Sequence, residues 1–149
     1  MKRATFPTPQ DAEAAFYEAF EKGDLDAMMG VWADDEDIVC VHPGGLRLAG
    51  AEQVREAWRQ IFAGGQTLRF RLRQQQTLNG MTLVVHSVYE QITVASEARA
   101  RQPVIATNIY MRTENGWRMV VHHASPGPAT VAAEAEAEAE GKRAPKTLH

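Results

Sequence analysis

Two adjacent histidines, His122 and His123, lie in the stretch WRMVVHHASP, which has the composition of a β-strand. A histidine with an ordinary pKa of about 6.5 can bind a metal ion through its neutral ring, or exchange a proton with a substrate at neutral pH. The other side chains that could do such chemistry are His42, His86, Glu90 and Cys40. Their role depends on which of them the fold brings to the same side of a sheet.

Metal coordination is disfavoured by the spacing of these residues. Histidine ligands on one strand usually occur at positions i and i+2, because alternate residues face the same side. The sequence contains no His-x-His, and the neighbours His122 and His123 point in opposite directions on a strand. The single cysteine excludes a multi-cysteine zinc site. We therefore expect neither a metal nor another cofactor.

The composition indicates an ordinary soluble domain. A chain of 149 residues with 44% hydrophobic and 23% charged residues has the size and composition of one globular domain. The net charge of −3 provides no basic face for nucleic acid. No apolar run approaches the roughly 20 residues of a membrane helix, and the N-terminus lacks the apolar segment of a signal peptide. We expect a cytoplasmic protein that binds neither membranes nor nucleic acid.

Helices are predicted in the first half of the chain. Thr8 and Pro9 are typical of a helix start, and Gly23 is typical of its end. Asp24 then caps a second helix, and a third follows Gly50. A short strand, 38–42, separates the second helix from the third.

Strands are predicted in the second half. The pattern changes from helical to alternating, and Asn79-Gly80 and Asn115-Gly116 are both two-residue hairpin signals. They predict strands at about 66–78, 81–96, 102–114 and 117–125. Helices that cover one face of such a mostly antiparallel sheet make an α+β domain.

The C-terminal segment differs in composition from the rest. After Pro128 the sequence becomes a strict Ala/Glu alternation, which places no apolar stripe on a helix. We predict a domain over 8–126 and a disordered or loosely helical tail over 127–149.

Several stretches resemble the nuclear transport factor 2-like superfamily. They are EKGDLDAMMGVWADD, VHPGGLRLAG and ATNIYMRTENGWRMVVHHASP, and the last is similar to the closing hairpin of SnoaL-like members and of the calcium/calmodulin-dependent kinase II association domain. The resemblance implies a cone, in the cystatin-like class, with three helices around a curved sheet and an apolar pocket inside. It also implies a homodimer formed through the outer face of the sheet.

The hairpin register divides the two histidines. If Glu114 pairs with Trp117, then Asn108 pairs with His123, and the two-residue period places His123 inside the cone and His122 outside. In relatives, the positions that match Asn108 and His123 point inward. The predicted pocket residues are Phe16, Trp32, Trp58, Phe62, Glu90, Asn108, Tyr110, Met119, His123 and Ser125. The predicted dimer face consists of Ile109, Met111, Val120 and His122.

The resemblance leaves the activity open, because the superfamily contains isomerases, cyclases, dehydratases and proteins without catalytic activity. Ketosteroid isomerases have a tyrosine where this chain has Phe16, whereas Tyr17 points about 100° away on the helix. They have Asp-Pro where this chain has His42-Pro43, so a standard steroid isomerase is not expected.

Three functions remain as alternatives. The leading one is the binding of a small apolar or amphipathic molecule. The second is cofactor-free isomerase, cyclase or dehydratase chemistry, with His42 as the base and His123 beside it. The third is an association domain that forms oligomers.

Overall fold

Three helices and six strands form the part of the chain that the structure, a computed structural model, describes: residues 4–97 and 101–128. In chain order they are α1 (Pro9–Lys22), α2 (Leu25–Val31), β1 (Val39–Val41), β2 (Leu48–Ala49), α3 (Ala51–Ala63), β3 (Leu68–Asn79), β4 (Leu83–Val94), β5 (Val104–Thr113) and β6 (Gly116–Pro126).

Capping residues set the bounds of the first two helices, as the sequence predicts. The Thr8 hydroxyl accepts a hydrogen bond from the backbone N–H of Asp11 at 3.1 Å, and Pro9 occupies the first turn of α1. Gly23 ends α1 in the left-handed conformation, with φ 63°. The Asp24 carboxylate then accepts from the N–H of Ala27 at 3.0 Å and starts α2. The two helices are therefore joined by a tight turn.

The strands form one curved, open sheet in the order β2-β1-β6-β5-β4-β3. All neighbouring pairs are antiparallel except β1 and β6, which are parallel. The three helices pack on this sheet, so the predicted α+β architecture is confirmed. None of the described helices is long and apolar enough to cross a membrane.

The last hairpin turns one residue earlier than predicted. Thr113 pairs with Gly116, so the turn is centred on Glu114 and Asn115 rather than on Asn115 and Gly116. Gly116 has φ 93°, and a Cβ there would lie 2.6 Å from the backbone oxygen of Phe6, which bridges to it. This close approach explains why the glycine lies in the strand and not in the turn. The other hairpin also has a longer connection than predicted, since Asn79 pairs with Val84.

A β-bulge in β6 reverses the predicted orientation of the two histidines. Tyr110 pairs with Met119, but the next residue of β5, Ile109, pairs with Val121, so Val120 is the extra residue. Asn108 consequently pairs with His122 and not with His123. The prediction that His123 faces inward was wrong: His122 is 1% exposed, whereas His123 is exposed.

The core lies between the helices and the concave face of the sheet. Its large, fully buried side chains include Phe16, Trp32, Trp58, Tyr110 and Met119. A smaller apolar cluster, Val88, Val104, Ala106 and Ala124, continues the same face of the sheet toward the far end of β5. The Ala/Glu-rich part of the predicted tail, from 129 onward, lies outside the described residues, so that prediction and the predicted domain boundary stay predictions.

Candidate functional site

A row of polar side chains crosses the concave face of the sheet. Strand pairing aligns His86 of β4 with Asn108 of β5, Asn108 with His122 of β6, and His122 with Cys40 of β1. All four residues are fully or almost fully buried. Residues paired in this way point to the same face, so the register alone assembles the row.

A chain of buried hydrogen bonds starts from this row. His122 Nδ1 lies 2.6 Å from Asn108 Oδ1, which makes Nδ1 the protonated ring nitrogen. Asn108 Nδ2 donates to the Tyr17 hydroxyl at 2.9 Å, and that hydroxyl donates to Glu90 Oε2 at 2.5 Å. Every bond points in the same direction, from the histidine to the carboxyl group. We call His122, Asn108, Tyr17 and Glu90 the interior chain.

A second group centres on Glu13 of α1. Its Oε2 is the partner of His86 Nδ1 at 2.7 Å and accepts from the Tyr110 hydroxyl at 3.1 Å. Its Oε1 accepts from Gln75 Nε2 at 2.6 Å. Gln75 belongs to the segment of β3 where the register shifts between Arg73 and Gln76, and this bulge brings a side chain from the mostly exposed half of the strand to Glu13.

Burial shifts the pKa of several groups in the interior. Desolvation, reinforced by the charge of Glu13, raises the pKa of Glu90 to about 7, although the bond from Tyr17 opposes this shift. Desolvation, followed by the neighbours His42 and His123, lowers the pKa of His122 to about 3. Burial also raises the pKa of Tyr17 well above its ordinary value. At neutral pH, therefore, His122 is uncharged, and Glu90 keeps its proton to a higher pH than an ordinary glutamate does.

His42 lies at the edge of this interior, just beyond β1. It is half-buried, and its ring meets Trp58 edge-on with 4.7 Å between centroids, while the His122 ring is 6.1 Å away. Its Nε2 is 3.5 Å from Cys40 Sγ. Burial lowers the pKa of His42, so its ring is neutral at neutral pH.

Aromatic rings from the helices cover the polar row. Phe16 contacts the His122 ring at 4.9 Å and Trp58 at 5.7 Å, and Phe20 contacts Trp58 at 4.7 Å. Trp58 Nε1 is buried and has no hydrogen-bond partner among the described residues. The interior thus combines an apolar cover with polar groups on its floor, which is the usual composition of a small-molecule site.

The structure brings together most, but not all, of the predicted pocket residues. Those that it buries in the interior are Phe16, Trp32, Trp58, Glu90, Asn108, Tyr110 and Met119. Phe62 is half-buried against the same core. His123 and Ser125 are exposed, because the bulge at Val120 turns both of them to the other face.

The predicted dimer face also changes at the bulge. Ile109 and Met111 are half-buried and face away from the helices, as predicted. The assignments of Val120 and His122 to that face were wrong, since Val120 packs against the main core and His122 lies inside it. Val121, which pairs with Ile109, takes the outward position instead.

Three interior residues were missed as site residues by the sequence analysis: Glu13, Tyr17 and His86. Tyr17 was set aside because Phe16 matches the isomerase tyrosine, yet both side chains are buried, at 6% and 0% exposure. A usable signal was present, because Glu13 and Tyr17 are one helical turn apart on the buried face of α1. His86 and Glu90 likewise share one face of β4.

The surface clefts lie away from this cluster of polar groups. Within residues 4–97 and 101–128, no group of three or more His, Cys, Asp or Glu side chains could hold a metal ion. Clefts of about 530 and 540 Å³ lie along α2 and α3 and beside the N-terminal arm. Neither is lined by a residue of the interior chain, and we assign the site to the concave interior because its titratable groups converge there.

Known proteins similar to this chain share its fold over most of its length. A model of the SnoaL-like domain matches residues 10–130. A Thiobacillus denitrificans protein, provisionally assigned as a calcium/calmodulin-dependent protein kinase type II association domain, has 40% identity and a TM-score of 0.76 over 83% of this chain and 98% of its own. A provisionally assigned NTF2-like dehydratase from Streptomyces avermitilis has 31% identity and a TM-score of 0.71 over 78% and 91% of the two chains.

A plant protein is also similar. The F-box protein SKIP8 of Arabidopsis thaliana is 26% identical over 103 residues, or 68% of this chain. The chain spans only 42% of the length of that protein.

Proposed function

Because the chain belongs to the family of SnoaL-like domains, we propose that it binds a small, largely apolar molecule in the concave interior. The observation that carries this proposal is the interior chain itself. A carboxyl group, a phenol, an amide and an imidazole are buried together beneath aromatic rings. Such groups cost free energy to desolvate, and strongly perturbed titratable groups cluster at functional sites more often than elsewhere.

The bound molecule is expected to carry at least one hydrogen-bond acceptor. Trp58 Nε1–H is a buried donor without a partner among the described residues, and the edge of the half-buried His42 ring lies against the same indole. A carbonyl or ether oxygen on an apolar body would satisfy the indole while the body replaces apolar contacts.

A thermal-shift screen of the full chain against uncharged metabolites tests this proposal. Compounds that bind are expected to stabilise the wild type but to lose this effect in Trp58→Phe, which keeps the ring and removes the N–H donor. Trp117→Phe is the matched control, since Trp117 packs at the hairpin end of the core. Binders that are unaffected by Trp58→Phe would place the site elsewhere.

General acid–base catalysis is the second candidate function, and the pKa of Glu90 favours it. An acid with a pKa of about 7 can both give and take a proton at neutral pH. The similarity to a provisionally assigned dehydratase is consistent with this chemistry. His42, neutral and near Trp58, remains the proposed base at the edge of the site.

Substitutions of Glu90 and of His42 distinguish catalysis from ligand binding once a ligand is identified. If the protein is an enzyme, Glu90→Gln and His42→Ala are expected to lower turnover at least a hundredfold while binding changes little. Unchanged turnover in both variants would exclude them as acid and base. Binding without turnover in the wild type would exclude catalysis and support ligand binding.

Assembly into a homodimer through the outer face of the sheet is a further part of the proposal. Support comes from the half-buried Ile109, Met111 and Val121 on that face, and from the 40% identity to a provisionally assigned association domain. A cytoplasmic location is also part of the proposal.

A further inference from the structure

The second polar group of the interior, Glu13 with His86, is not explained by the interior chain. His86 is 0% exposed, and its Nδ1 is paired with Glu13 Oε2 at 2.7 Å. Its other ring nitrogen, Nε2, is buried and has no hydrogen-bond partner among the residues that the structure describes. A buried polar atom without a partner is uncommon in proteins and often marks a place where a water, ion or ligand binds.

The partners of Glu13 determine which nitrogen of His86 carries the proton. Glu13 accepts hydrogen bonds from the Tyr110 hydroxyl at 3.1 Å and from the Gln75 amide at 2.6 Å. Because Glu13 Oε2 acts as an acceptor toward Tyr110, the geometry places the proton of the contact with His86 on Nδ1. In that tautomer His86 Nε2 presents a lone pair.

We propose that His86 Nε2 is a ligand-binding atom that accepts a hydrogen bond from a hydroxyl group of the bound molecule, and that Glu13 positions it. The inference rests on the proposed function, and it specifies the ligand as one that carries a hydroxyl group on an apolar body. If the hydroxyl proton moves to Nε2, the ligand becomes an alkoxide or phenoxide, and His86 becomes an imidazolium paired with the Glu13 carboxylate. The same pair would then serve as a general base.

His86 is the buried histidine that lies against α1, where its ring contacts Glu13. His86 pairs across the strands with Asn108, whose own amide is engaged by His122 and Tyr17. The Asn108 side chain is therefore committed to the interior chain. The Tyr110 ring lies 5.2 Å from the His86 ring and directs its hydroxyl to Glu13.

The proposal is tested by the binding of two small molecules of nearly equal shape, phenol and toluene, to the full chain. Binding is followed by ¹⁵N NMR of the histidine ring nitrogens. Phenol carries the hydroxyl donor, and toluene does not. We expect phenol to bind roughly tenfold more tightly than toluene, and to shift the Nε2 resonance of His86. In His86→Phe phenol is expected to lose this advantage over toluene, whereas His123→Gln, at an exposed position, should behave like the wild type.

The outcomes distinguish this inference from the proposed function. Equal binding of phenol and toluene to the wild type would overturn the role of His86 but leave the interior as a binding site. Failure of both probes to bind would contradict the proposed function and the inference with it.

The ligand-free protein provides a second test, which compares the wild type with Glu13→Gln. His86 is expected to have its proton on Nδ1, and Glu13→Gln should produce a mixture of both tautomers, because an amide can donate as well as accept. A proton on Nε2 in the wild type would overturn the proposal, since that nitrogen could then no longer accept.

Discussion

Glu90 is a carboxyl group in an apolar interior, and its contacts explain its raised pKa. Its Oε2 accepts one hydrogen bond, from Tyr17, and the nearby Glu13 adds negative charge. Desolvation outweighs the single donor, so the folded protein holds the Glu90 proton up to a pH of about 7, against an ordinary pKa of 4.5. In the unfolded chain Glu90 loses its proton near its ordinary pKa of 4.5. Between pH 4.5 and about 7, unfolding therefore releases a proton.

The stability of the protein is expected to depend on pH through Glu90. As the pH rises from 4.5 to about 7, the Glu90 term in the free energy of unfolding falls by about 3 kcal/mol. In Glu90→Gln this term is absent, so the variant should gain stability relative to the wild type as the pH rises. Urea denaturation at pH 4.5 and pH 8 measures the difference. A constant difference between the two proteins would show that Glu90 titrates normally.

His122 makes the opposite contribution at acidic pH. The folded protein keeps this histidine neutral down to a pH of about 3, while the unfolded chain binds a proton below its ordinary pKa of 6.5. Stability is thus lost as the pH falls from 6.5 toward 3, by up to about 5 kcal/mol.

The variant His122→Asn, which retains a donor near the position of Nδ1, should lose less stability on acidification than the wild type. Acid titration followed by circular dichroism checks this prediction, with His123→Gln as the exposed control. Equal acid sensitivity of His122→Asn and the wild type would contradict the assignment of His122 to the interior.

At the residue scale, the sequence predicts which side chains lie in the interior better than it predicts which hydrogen bonds they make. Asn108, Tyr110 and Glu90 could be assigned to the interior from strand alternation and from the family resemblance. The contacts of Glu13 and Tyr17 could not, because they join positions 62 or more residues apart along the chain. Such contacts depend on how α1 lies on the sheet, which no local pattern encodes.

Among the secondary-structure elements, α1 has the clearest sequence signal and positions two interior residues, Glu13 and Tyr17. Its start is set by Thr8, whose hydroxyl accepts from the N–H of Asp11. Thr8→Ala is expected to lower the free energy of unfolding by about 1 kcal/mol, while Thr8→Ser retains the cap. Chemical denaturation of both variants checks this prediction. Equal loss in both would mean that the methyl group, and not the hydroxyl, stabilises the helix.

The bulge in β6 shows why the face to which each side chain points was harder to predict than the position of the strand along the chain. The sequence gives the alternation of β5 and β6, but the extra residue at Val120 changes the face of every later residue in β6. Val120 packs against the core rather than outward, which favours the bulge. Val120 and Val121 are identical in type, so the pattern contains no mark of which one is extra.

At the scale of the whole molecule, the curved sheet has two unlike faces, and the proposed dimer uses the outer one. Ile109→Lys would introduce a charge beside Met111 and Val121 and is expected to convert a dimer into a monomer. Ile61→Lys is a matched control, because Ile61 is 37% exposed on α3, away from that face. Sedimentation velocity distinguishes the species. A wild type that is monomeric at all concentrations would contradict the proposal.

The fold as a whole could be predicted because its signals are local and repeated. Helix caps, glycine stops and the change from helical to alternating patterns defined the order of elements, and the family resemblance supplied the topology. The parallel contact of β1 with β6 has no local signal, since its partners are more than 80 residues apart. That contact nevertheless brings Cys40, and with it His42, to the site.

The indole N–H of Trp58 provides the most direct test of the central claim, that the concave interior is a ligand site. The chain has three tryptophans, so each N–H gives a separate ¹H–¹⁵N resonance, and Trp117 at the hairpin end of the core is an internal reference. On titration with phenol, we predict a saturable shift of the Trp58 resonance and little change at Trp117. Saturable binding that leaves Trp58 unmoved, or no binding at all, would contradict it.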